Sequence, residues 1–417
     1  MVSTALDCDD SGHMSEPSPI EAWPPTMPVA LGDRSGFPRL AARAYLGHSA
    51  ISPLSQVVEQ AIAQVSHDYA LRGIEAFMTW HERRGLLRAR VATLLGAALD
   101  EVGFVANTTT AISTIAINYP WQRGDVVIVL RGEFPANVTP WQRAAALHGL
   151  HVEFHEVDAF AGASGRGLER LEQRLRQGGV RLIAVSAVQF QSGLRMPLQA
   201  IATLAHQHGA ELFCDAIQAL GVLELHPRAL GIDYLACGSH KWLMGSEGAA
   251  LLWIARERLA GLRHFNAGWL SHEHAVDFLF EPDQLRYDRP IREAADHVEV
   301  GAYPVLGLAA LAAAIEPLLA LGSAAIEQHV ARYLDALDEG LRARGLVSLR
   351  SEVVEQRSAI LSVRAPAEVD AREIQARLSR RGVVMTIPEG LLRFAPHWPN
   401  ALDEVPEVLA ALDEVLA

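Results

Sequence analysis

The sequence has few cysteines, few lysines and no surplus of positive charge. Cysteine occurs three times in 417 residues, at Cys8, Cys214 and Cys237, which is too few for a disulfide framework. The last two stand in apolar runs, so we expect reduced core thiols. Nearly all of the 36 basic residues are arginine, and the net charge is −13. An acidic chain argues against a nucleic-acid partner, because phosphate binding needs a basic surface.

Signals for export, membrane insertion and metal binding are also missing from the sequence. The N-terminus carries acidic residues without an apolar signal core. The longest apolar stretch, residues 305–315, is about half as long as a membrane span. The histidines at 81–85 and 271–274 lack the spacing of a zinc helix, and residues 165–167 are too short for a dinucleotide loop. We therefore expect a cytoplasmic protein with no membrane partner and no bound metal.

The length of the chain suggests more than one domain. The first 36 residues are rich in Pro, Ser, Asp and Gly, and so little apolar surface predicts a loose arm. The predicted divisions are the arm at 1–36, a segment at 37–70 that packs with a small domain, a large domain at 71–300 and the small C-terminal domain at 301–417.

Short apolar runs alternate with amphipathic stretches through the predicted large domain. The runs are rich in Val, Ile and Leu on both faces, which predicts a mostly parallel sheet covered by helices on both sides. An example of a connecting helix is 197–209. Strand-like and helix-like stretches at 357–365 and 376–384 predict a smaller α+β unit. The predicted strands of the sheet are 101–107, 125–131, 151–157, 180–188, 210–215, 232–237 and 248–254.

Polar residues follow several of these strands, at the edge where ligands bind in open α/β sheets. Thr108, Thr109 and Thr110 precede a helix, where hydroxyls and free backbone N–H groups suit a phosphate. Taken alone, the three threonines favour a plain helix cap without a ligand. Asp215 ends an apolar strand, where a carboxylate is costly unless it pairs with a cation. It could otherwise cap a turn. Gln218 would point to the same side.

Lys241 follows a further strand, in "GSHKWLMG". In a dry, glycine-lined pocket the charged form of a lysine is disfavoured, and the amine can attack a carbonyl. The alternative is a surface lysine. A phosphate cradle, a buried carboxylate and a nucleophilic lysine at neighbouring strand ends are together what pyridoxal 5′-phosphate requires.

The same residues carry a resemblance to fold-type I pyridoxal-phosphate enzymes. Over residues 40–400 the chain resembles the class V aminotransferase branch, which includes cysteine desulfurases, selenocysteine lyases, isopenicillin-N epimerase-like proteins and kynureninases. "CDAIQALG" resembles the Asp-x-x-Gln motif, which implies Asp215 on the pyridine nitrogen and Gln218 on the ring hydroxyl. "GSHKWLMG" resembles the lysine motif, which implies a Schiff base at Lys241 and His240 near the phosphate.

Other segments extend the resemblance. "NTTTAIS" matches the phosphate loop, which implies Thr108 and Thr109 on the phosphate. "EFPANVTPWQ" resembles the segment whose aromatic residue stacks on the ring, and we expect Phe134 in that role or in the core. "LLRFAPHWPN" implies that Arg393 binds the substrate carboxylate, because its fork donates two parallel hydrogen bonds. "RAYLGHS" resembles the segment at the mouth of the site, where His48 either faces substrate or packs.

Two departures from the family pattern bear on the reaction. The desulfurases carry a catalytic cysteine in their C-terminal third, and this sequence has no cysteine after Cys237, so the persulfide route is closed. The branch often has Gly-Thr near residue 301, where the threonine reaches the partner subunit's phosphate. Here Ala302 follows Gly301, which puts that contact in doubt.

The sequence thus predicts a pyridoxal-phosphate enzyme that acts on an amino acid through a Schiff base and an α-carbanion. Asp215 would hold the ring as an electron sink, and Lys241 would act as the base at the α-carbon. Transamination is the first expectation, and a C–S lyase or an epimerase without a catalytic cysteine is the alternative. A non-catalytic scaffold is a more distant one. The resemblance also implies a homodimer.

Overall fold

A computed structural model of the chain describes residues 23–365 and 369–416. The strands, in chain order, are β1 Ala44–Tyr45, β2 Val102–Val105, β3 Val126–Arg131, β4 His151–Glu156, β5 Val180–Ser186, β6 Glu211–Asp215, β7 Tyr234–Gly238, β8 Ala250–Ile254, β9 Val347–Ser348, β10 Leu361–Arg364, β11 Val383–Val384 and β12 Leu392–Phe394. The α-helices are α1 Gln56–Arg72, α2 Ala76–Leu95, α3 Thr108–Asn118, α4 Thr139–His148, α5 Arg166–Leu175, α6 Leu198–Gln207, α7 Arg256–Leu259, α8 Val305–Leu321, α9 Ser323–Ala343, α10 Ala371–Arg380 and α11 Glu404–Leu416.

A seven-stranded sheet forms the centre of the large domain, in the order β2-β8-β7-β6-β5-β3-β4. β8 runs antiparallel to its neighbours β2 and β7, and the other pairs are parallel. All seven predicted strands occur in this sheet, and the α/β fold with a mostly parallel sheet is confirmed.

Alternate side chains of each strand enter opposite helical layers. In β3, Val127 and Val129 belong to one buried cluster, while Ile128 and Leu130 belong to the other. Both faces of the strand are therefore dry, which explains why its sequence is continuously apolar rather than alternating. All strands of the sheet except β8 point the same way, so their carboxyl ends and the loops that follow them meet at one edge.

The C-terminal unit contains a three-stranded antiparallel sheet in the order β12-β10-β9. The N-terminal segment is joined to this unit, because β1 pairs in parallel with β11 through Ala44 and Val383. An isolated bridge between Gly47 and Ala395 extends the same connection. Residues just after β1 and residues around β12 are thereby brought to the edge of the central sheet where β5, β6 and β7 end.

The predicted loose arm is wrong for its described part, residues 23–36. Trp23 is 5% exposed and packs edge-on against Trp80, with ring centroids 5.9 Å apart. The N–H of Gly32 donates to the carbonyl of Trp398 at 2.7 Å. The low apolar content of the segment as a whole predicts a loose arm, but one buried tryptophan is enough to anchor it. Residues 1–22, including Cys8, lie outside the described residues.

Among the described residues, no single helix is long and apolar enough to cross a membrane. Taken together, α8 and α9 have the length and the apolar composition of a membrane span, but the two helices meet at an angle of 82°.

Candidate active site

A cavity of about 550 Å³ opens where strands β5, β6 and β7 end. Its wall contains Thr108, Thr109, Phe134, Asp215 and Gln218 from the large domain. It also contains His240, Lys241 and, from the C-terminal unit, Arg393. The predicted site residues therefore meet in one cavity, with His48 as the exception. A larger open groove of about 780 Å³ lies on the C-terminal unit beside Arg380 and Glu414, away from these groups.

Lys241 is the only lysine in the whole sequence. It lies in the turn that follows β7, and its Nζ is 5.6 Å from the centroid of the Phe134 ring. Burial lowers the pKa of Lys241 to about 8, against the opposing influence of the Asp215 carboxylate. Near physiological pH the neutral fraction of this amine is far larger than that of an exposed lysine, which suits it to act as a nucleophile and a base. The surface-lysine alternative is not supported, because the side chain lines the cavity.

The backbone of the lysine turn is fixed by the N-terminal segment. The Ser52 N–H donates to the carbonyl of His240 at 2.8 Å, and the Ser52 hydroxyl donates to the carbonyl of Lys241 at 2.6 Å. Sequence reasoning missed Ser52, since no motif connects it to a residue 189 positions away.

His48 lies behind this turn rather than in the cavity wall. Its Nδ1 is 2.8 Å from the Ser52 hydroxyl, and its ring stacks on Trp242 and meets the His397 ring edge-on. Burial, followed by the charge of His397, holds the pKa of His48 well below its ordinary value. The structure thus favours the packing alternative over substrate contact, and the neighbouring residues Ser49–Ile51 line the cavity instead.

Asp215 ends β6 with its carboxylate buried at the floor of the cavity. It accepts the N–H of Ile217 at 3.0 Å, and among the described residues no cationic side chain bonds to it. Burial raises its pKa to about 6, so the group stays largely ionised at neutral pH. A buried carboxylate in this condition favours a cationic partner, such as a protonated ring nitrogen.

Gln218 lies one turn beyond Asp215 and is anchored at both ends of its amide. The Nε2 group donates to the carbonyl of Ser49 at 2.9 Å, and the Oε1 atom accepts the indole N–H of Trp242 at 2.9 Å. Because an amide nitrogen carries two hydrogens, one N–H remains for a ligand in the cavity.

The phosphate cradle is built at the start of α3. Its N-cap is Asn107, whose side chain accepts the N–H of Thr110 at 2.8 Å, so the predicted threonine cap is wrong. The threonines begin the helix instead. Thr108 Oγ1 is buried without a hydrogen-bond partner among the described residues. An unpaired hydroxyl beside free N–H groups at a helix start fits a phosphate.

Gly238 explains how close the strand end comes to this cradle. A Cβ added there would lie 2.8 Å from Thr108 Oγ1 and 3.2 Å from the ring of His240. Glycine therefore allows the hydroxyl and the imidazole to approach the same point. Burial, followed by the charge of Lys241, lowers the pKa of His240, so the ring is neutral and can donate one hydrogen bond.

Phe134 follows β3 and is 48% exposed in the cavity wall. Its ring meets that of Phe190 edge-on, with centroids 5.4 Å apart. The core alternative for Phe134 is not supported by this exposure.

The preceding residue, Glu133, accepts the N–H of Ser186 at 2.7 Å, and burial raises the pKa of its carboxyl to about 7. The position of Glu133 just beyond a strand end is the signal that could have identified it.

Arg393 lies in β12 and is 5% exposed. Its Nε donates to Thr386 Oγ1 at 2.9 Å and its Nη1 to the carbonyl of Phe190 at 2.5 Å. No acidic side chain within the described ranges pairs with it, and burial lowers its pKa to about 10. A buried guanidinium with free N–H groups facing a cavity favours an anion there.

The two described cysteines and the departure at residue 302 lie outside this cavity. Cys214 and Cys237 are buried in β6 and β7, as expected, and burial holds the pKa of both thiols well above its ordinary value. Gly301 and Ala302 line a separate cavity of about 180 Å³ that also touches Thr110. In the part of the chain that the structure describes, no group of three or more His, Cys, Asp or Glu side chains could hold a metal ion.

Comparison with known proteins identifies the family. The family model "Aminotransferase class-V" matches residues 44–390. The chain belongs to the class V aminotransferase family. Pyridoxal 5′-phosphate is the cofactor of this family, and the unpaired Thr108 hydroxyl, the buried Asp215 carboxylate and the single lysine fit its three functional groups. The chain is accordingly a pyridoxal-phosphate-dependent enzyme.

Three proteins that are similar to this chain carry different functional names. The uncharacterized aminotransferase YcbU of Bacillus subtilis is 25% identical over 92% of this chain and 96% of that protein. A probable cysteine desulfurase of Pyrococcus abyssi is 24% identical over 79% of this chain and 82% of that protein. The solved complex of the cystine C–S lyase C-DES with cysteine persulfide covers 88% of this chain and 96% of that chain, with 22% identity and a TM-score of 0.79. It shares the fold.

Proposed function

We propose that the enzyme acts on an α-amino acid and that its reaction is a transamination. The observation that carries this proposal is the presence of Lys241 and Arg393 in one cavity wall. The lysine provides an amine for the cofactor aldehyde. The arginine provides a buried cationic site for a carboxylate, which distinguishes an amino acid from a simple amine.

The cofactor would be held by side chains from four segments. Thr108, Thr109 and His240 would bind the phosphate, where the start of α3 offers N–H groups. Asp215 would bind the pyridine nitrogen, and the free N–H of Gln218 would reach the ring hydroxyl. The Phe134 ring, 5.6 Å from Lys241 Nζ, would cover the face of the cofactor ring.

The remaining steps belong to residues of the chain. When bound, pyridoxal phosphate supplies an aldehyde for the substrate amine and a ring that withdraws electrons from the α-carbon. Arg393 binds the substrate carboxylate and fixes the orientation of the α-carbon. Lys241 Nζ takes the α-proton, for which a pKa near neutrality is suited. Asp215 keeps its negative charge beside the ring nitrogen, since its pKa of about 6 lies below neutral pH.

Transamination is preferred over desulfuration for a chemical reason. A persulfide-forming desulfurase needs an accessible thiol, whereas Cys214 and Cys237 are buried in strands. YcbU, which matches 92% of this chain, is named an uncharacterized aminotransferase. A C–S lyase or an epimerase that needs no catalytic cysteine is the second candidate, and relatives named cysteine desulfurase support it.

The decisive experiment is a panel of amino acids incubated with the purified holoenzyme. Each reaction is scored for keto acid with and without an added keto-acid acceptor, and for sulfide, alanine and racemised substrate. Acceptor-dependent keto acid is the expected result. Sulfide or racemised product without acceptor would replace transamination by the second candidate. A variant with all three cysteines changed to Ala should give the same product pattern.

We further propose a cytoplasmic homodimer. Apolar side chains are exposed along residues 265–287, among them Phe265, Trp269, Phe280 and Tyr287. An exposed group of this kind is typical of an interface, and symmetric dimers are the commonest oligomers. Light scattering at working concentration tests the proposal, and a fully active monomer would defeat it.

A further inference from the structure

One part of the cavity wall has no role in binding the cofactor or the substrate carboxylate. It is formed by Ile51, Phe190 and Pro388, which come from three separate segments of the chain. We propose that this apolar wall is the side-chain subsite and that the substrate is an amino acid with an uncharged, apolar side chain. The inference rests on the proposed function, because it takes Arg393 as the carboxylate site.

The first observation is an apolar side chain left open to the cavity. Ile51 is 49% exposed although it lines a pocket in a well-packed chain. Its backbone is fixed, since its carbonyl accepts the hydroxyl of Tyr45 at 2.6 Å. A ligand that covers Ile51 would remove apolar surface from water, which favours a hydrophobic group at this position.

The second observation is the adjacency of the apolar wall to the carboxylate site. Arg393 Nη1 donates to the backbone carbonyl of Phe190 at 2.5 Å, and both residues line the same cavity, so the guanidinium lies next to the residue whose ring contributes to the apolar wall. That ring also packs edge-on against Phe134, the proposed cover of the cofactor. A substrate whose carboxylate lies on Arg393 and whose amine reaches the cofactor therefore presents its side chain to Phe190.

The third observation concerns charge. Among the described lining residues, the charged groups at neutral pH are Asp215, Lys241 and Arg393, and each already has a proposed partner. An acidic side chain would have to compete for Arg393 or remain unpaired on the apolar wall, which is costly. A basic side chain would face the Arg393 cation and would find no free carboxylate on the apolar wall. Both charged classes are therefore disfavoured.

The test uses carboxylates that lack an amine, so that binding is separated from chemistry. The probes are propanoate, pentanoate, 4-methylpentanoate, 3-phenylpropanoate and glutarate, titrated calorimetrically into the holoenzyme. We expect affinity to rise about fourfold for each buried CH₂. Glutarate, with a second charge, should bind at least tenfold more weakly than 4-methylpentanoate.

Variants locate the effect on the wall. Phe190→Ala should weaken 3-phenylpropanoate at least tenfold and leave propanoate within about twofold, while Phe190→Leu should retain most of the affinity. Phe190→Arg should improve glutarate relative to 4-methylpentanoate. Phe154→Ala, in the edge strand β4, is the matched control and should change nothing.

The outcomes separate this inference from the proposed function. If glutarate binds as tightly as 4-methylpentanoate, or if Phe190→Ala weakens all probes equally, the apolar subsite is wrong even when amino acids are converted. If the apolar preference is present and no amino acid is converted, the subsite stands and the proposed reaction fails.

Discussion

The Nε2–H group of His397 donates a hydrogen bond of 2.8 Å to the backbone carbonyl of Trp242, the residue that follows Lys241. Its Nδ1 accepts the N–H of Trp398 at 2.7 Å, which places the ring proton on Nε2. Ser52 donates to the carbonyls of the two preceding residues, His240 and Lys241. Three successive carbonyls of the lysine turn therefore accept hydrogen bonds from residues outside the large domain. Arg393 lies four residues before His397, so one segment carries both the carboxylate site and this support.

The first prediction concerns His397. Changing it to Leu removes the donor and leaves the Trp242 carbonyl buried and unpaired, which should lower the free energy of unfolding by about 1–3 kcal/mol and loosen the lysine turn. We expect kcat to fall more than KM rises. Denaturant unfolding and steady-state kinetics measure both effects. His397→Gln keeps a donor and should recover at least part of the rate. If Leu and Gln behave alike, the hydrogen bond does not position the lysine.

The second prediction is a loss of stability in acid that depends on His397. Burial lowers the pKa of this group to about 4 in the folded chain, against an ordinary 6.5 when unfolded. Because the unfolded state binds the proton first, the contribution is complete above pH 6.5 and disappears as the pH falls toward 4. It amounts to up to about 3 kcal/mol. The ring of His48 meets that of His397 edge-on, and the charge of His329 also acts on His397. Burial lowers the pKa of both neighbours, so they titrate in the same direction.

The measurement is urea unfolding at pH 7.0 and at pH 4.5 for the wild type and for His397→Gln. The variant should lose less stability between the two pH values, because glutamine does not titrate. An identical loss in both proteins would show that His397 is not neutral in the fold or does not contribute.

The third prediction concerns the single lysine. Reductive methylation of the cofactor-free enzyme with ¹³C-formaldehyde should give one lysine signal in NMR spectra, absent from Lys241→Arg. That signal should titrate near pH 8, about two units below an exposed lysine. Asp215→Asn removes a negative charge that raises the pKa, so the signal should then titrate lower. Titration above pH 10 would contradict a buried amine. In the holoenzyme, borohydride should attach the cofactor to Lys241.

The fourth prediction is the effect of Asp215→Asn on the rate. The change removes the charge at nearly constant shape, and a broken charge pair in a dry site commonly costs about 3–5 kcal/mol. We expect a rate loss of two to four orders of magnitude, in enzyme that still contains cofactor by absorbance. A loss of less than tenfold would falsify the role of Asp215 at the ring nitrogen.

The fifth prediction tests Arg393. Arg393→Ala should weaken amino-acid binding by about 2–4 kcal/mol, or roughly 30- to 1000-fold. The amine without a carboxylate should be little affected. Arg393→Lys should also weaken the amino acid, because a point charge cannot form the two parallel hydrogen bonds. Equal losses for the amino acid and the amine would indicate a structural arginine.

The sequence predicts the central sheet well and the contacts behind the site poorly. Continuous runs of Val, Ile and Leu determine β3 and β5 because both faces of these strands are buried. Lys241, Asp215 and Arg393 were predictable because a charge inside an apolar run needs a partner. Thr108 was expected to cap α3, but the cap is Asn107, and any short polar side chain at this point satisfies the same pattern.

Ser52, His397 and His48 show what local pattern leaves undetermined. Their hydrogen bonds and ring contacts join positions far apart in the chain, and no periodicity encodes which distant carbonyl a serine or a histidine meets. The position of Trp23 is also undetermined by local pattern. The residues around it contain few apolar side chains and so predict an arm, although its indole is buried against Trp80. Contacts between distant parts of the chain determine these positions, whereas a local run of apolar residues is enough to predict the buried strands.

The solitary lysine also determines how the chain responds to proteolysis. A lysine-specific endoprotease can cut this sequence at a single bond, between Lys241 and Trp242, and Trp242 is fully buried in the fold. The native protein should therefore resist such a protease completely. The unfolded chain should yield two fragments, residues 1–241 and 242–417. A lysine that carries reduced cofactor should block even this cut, so the ratio of intact to cleaved chain on a denaturing gel would report the fraction of enzyme loaded with cofactor.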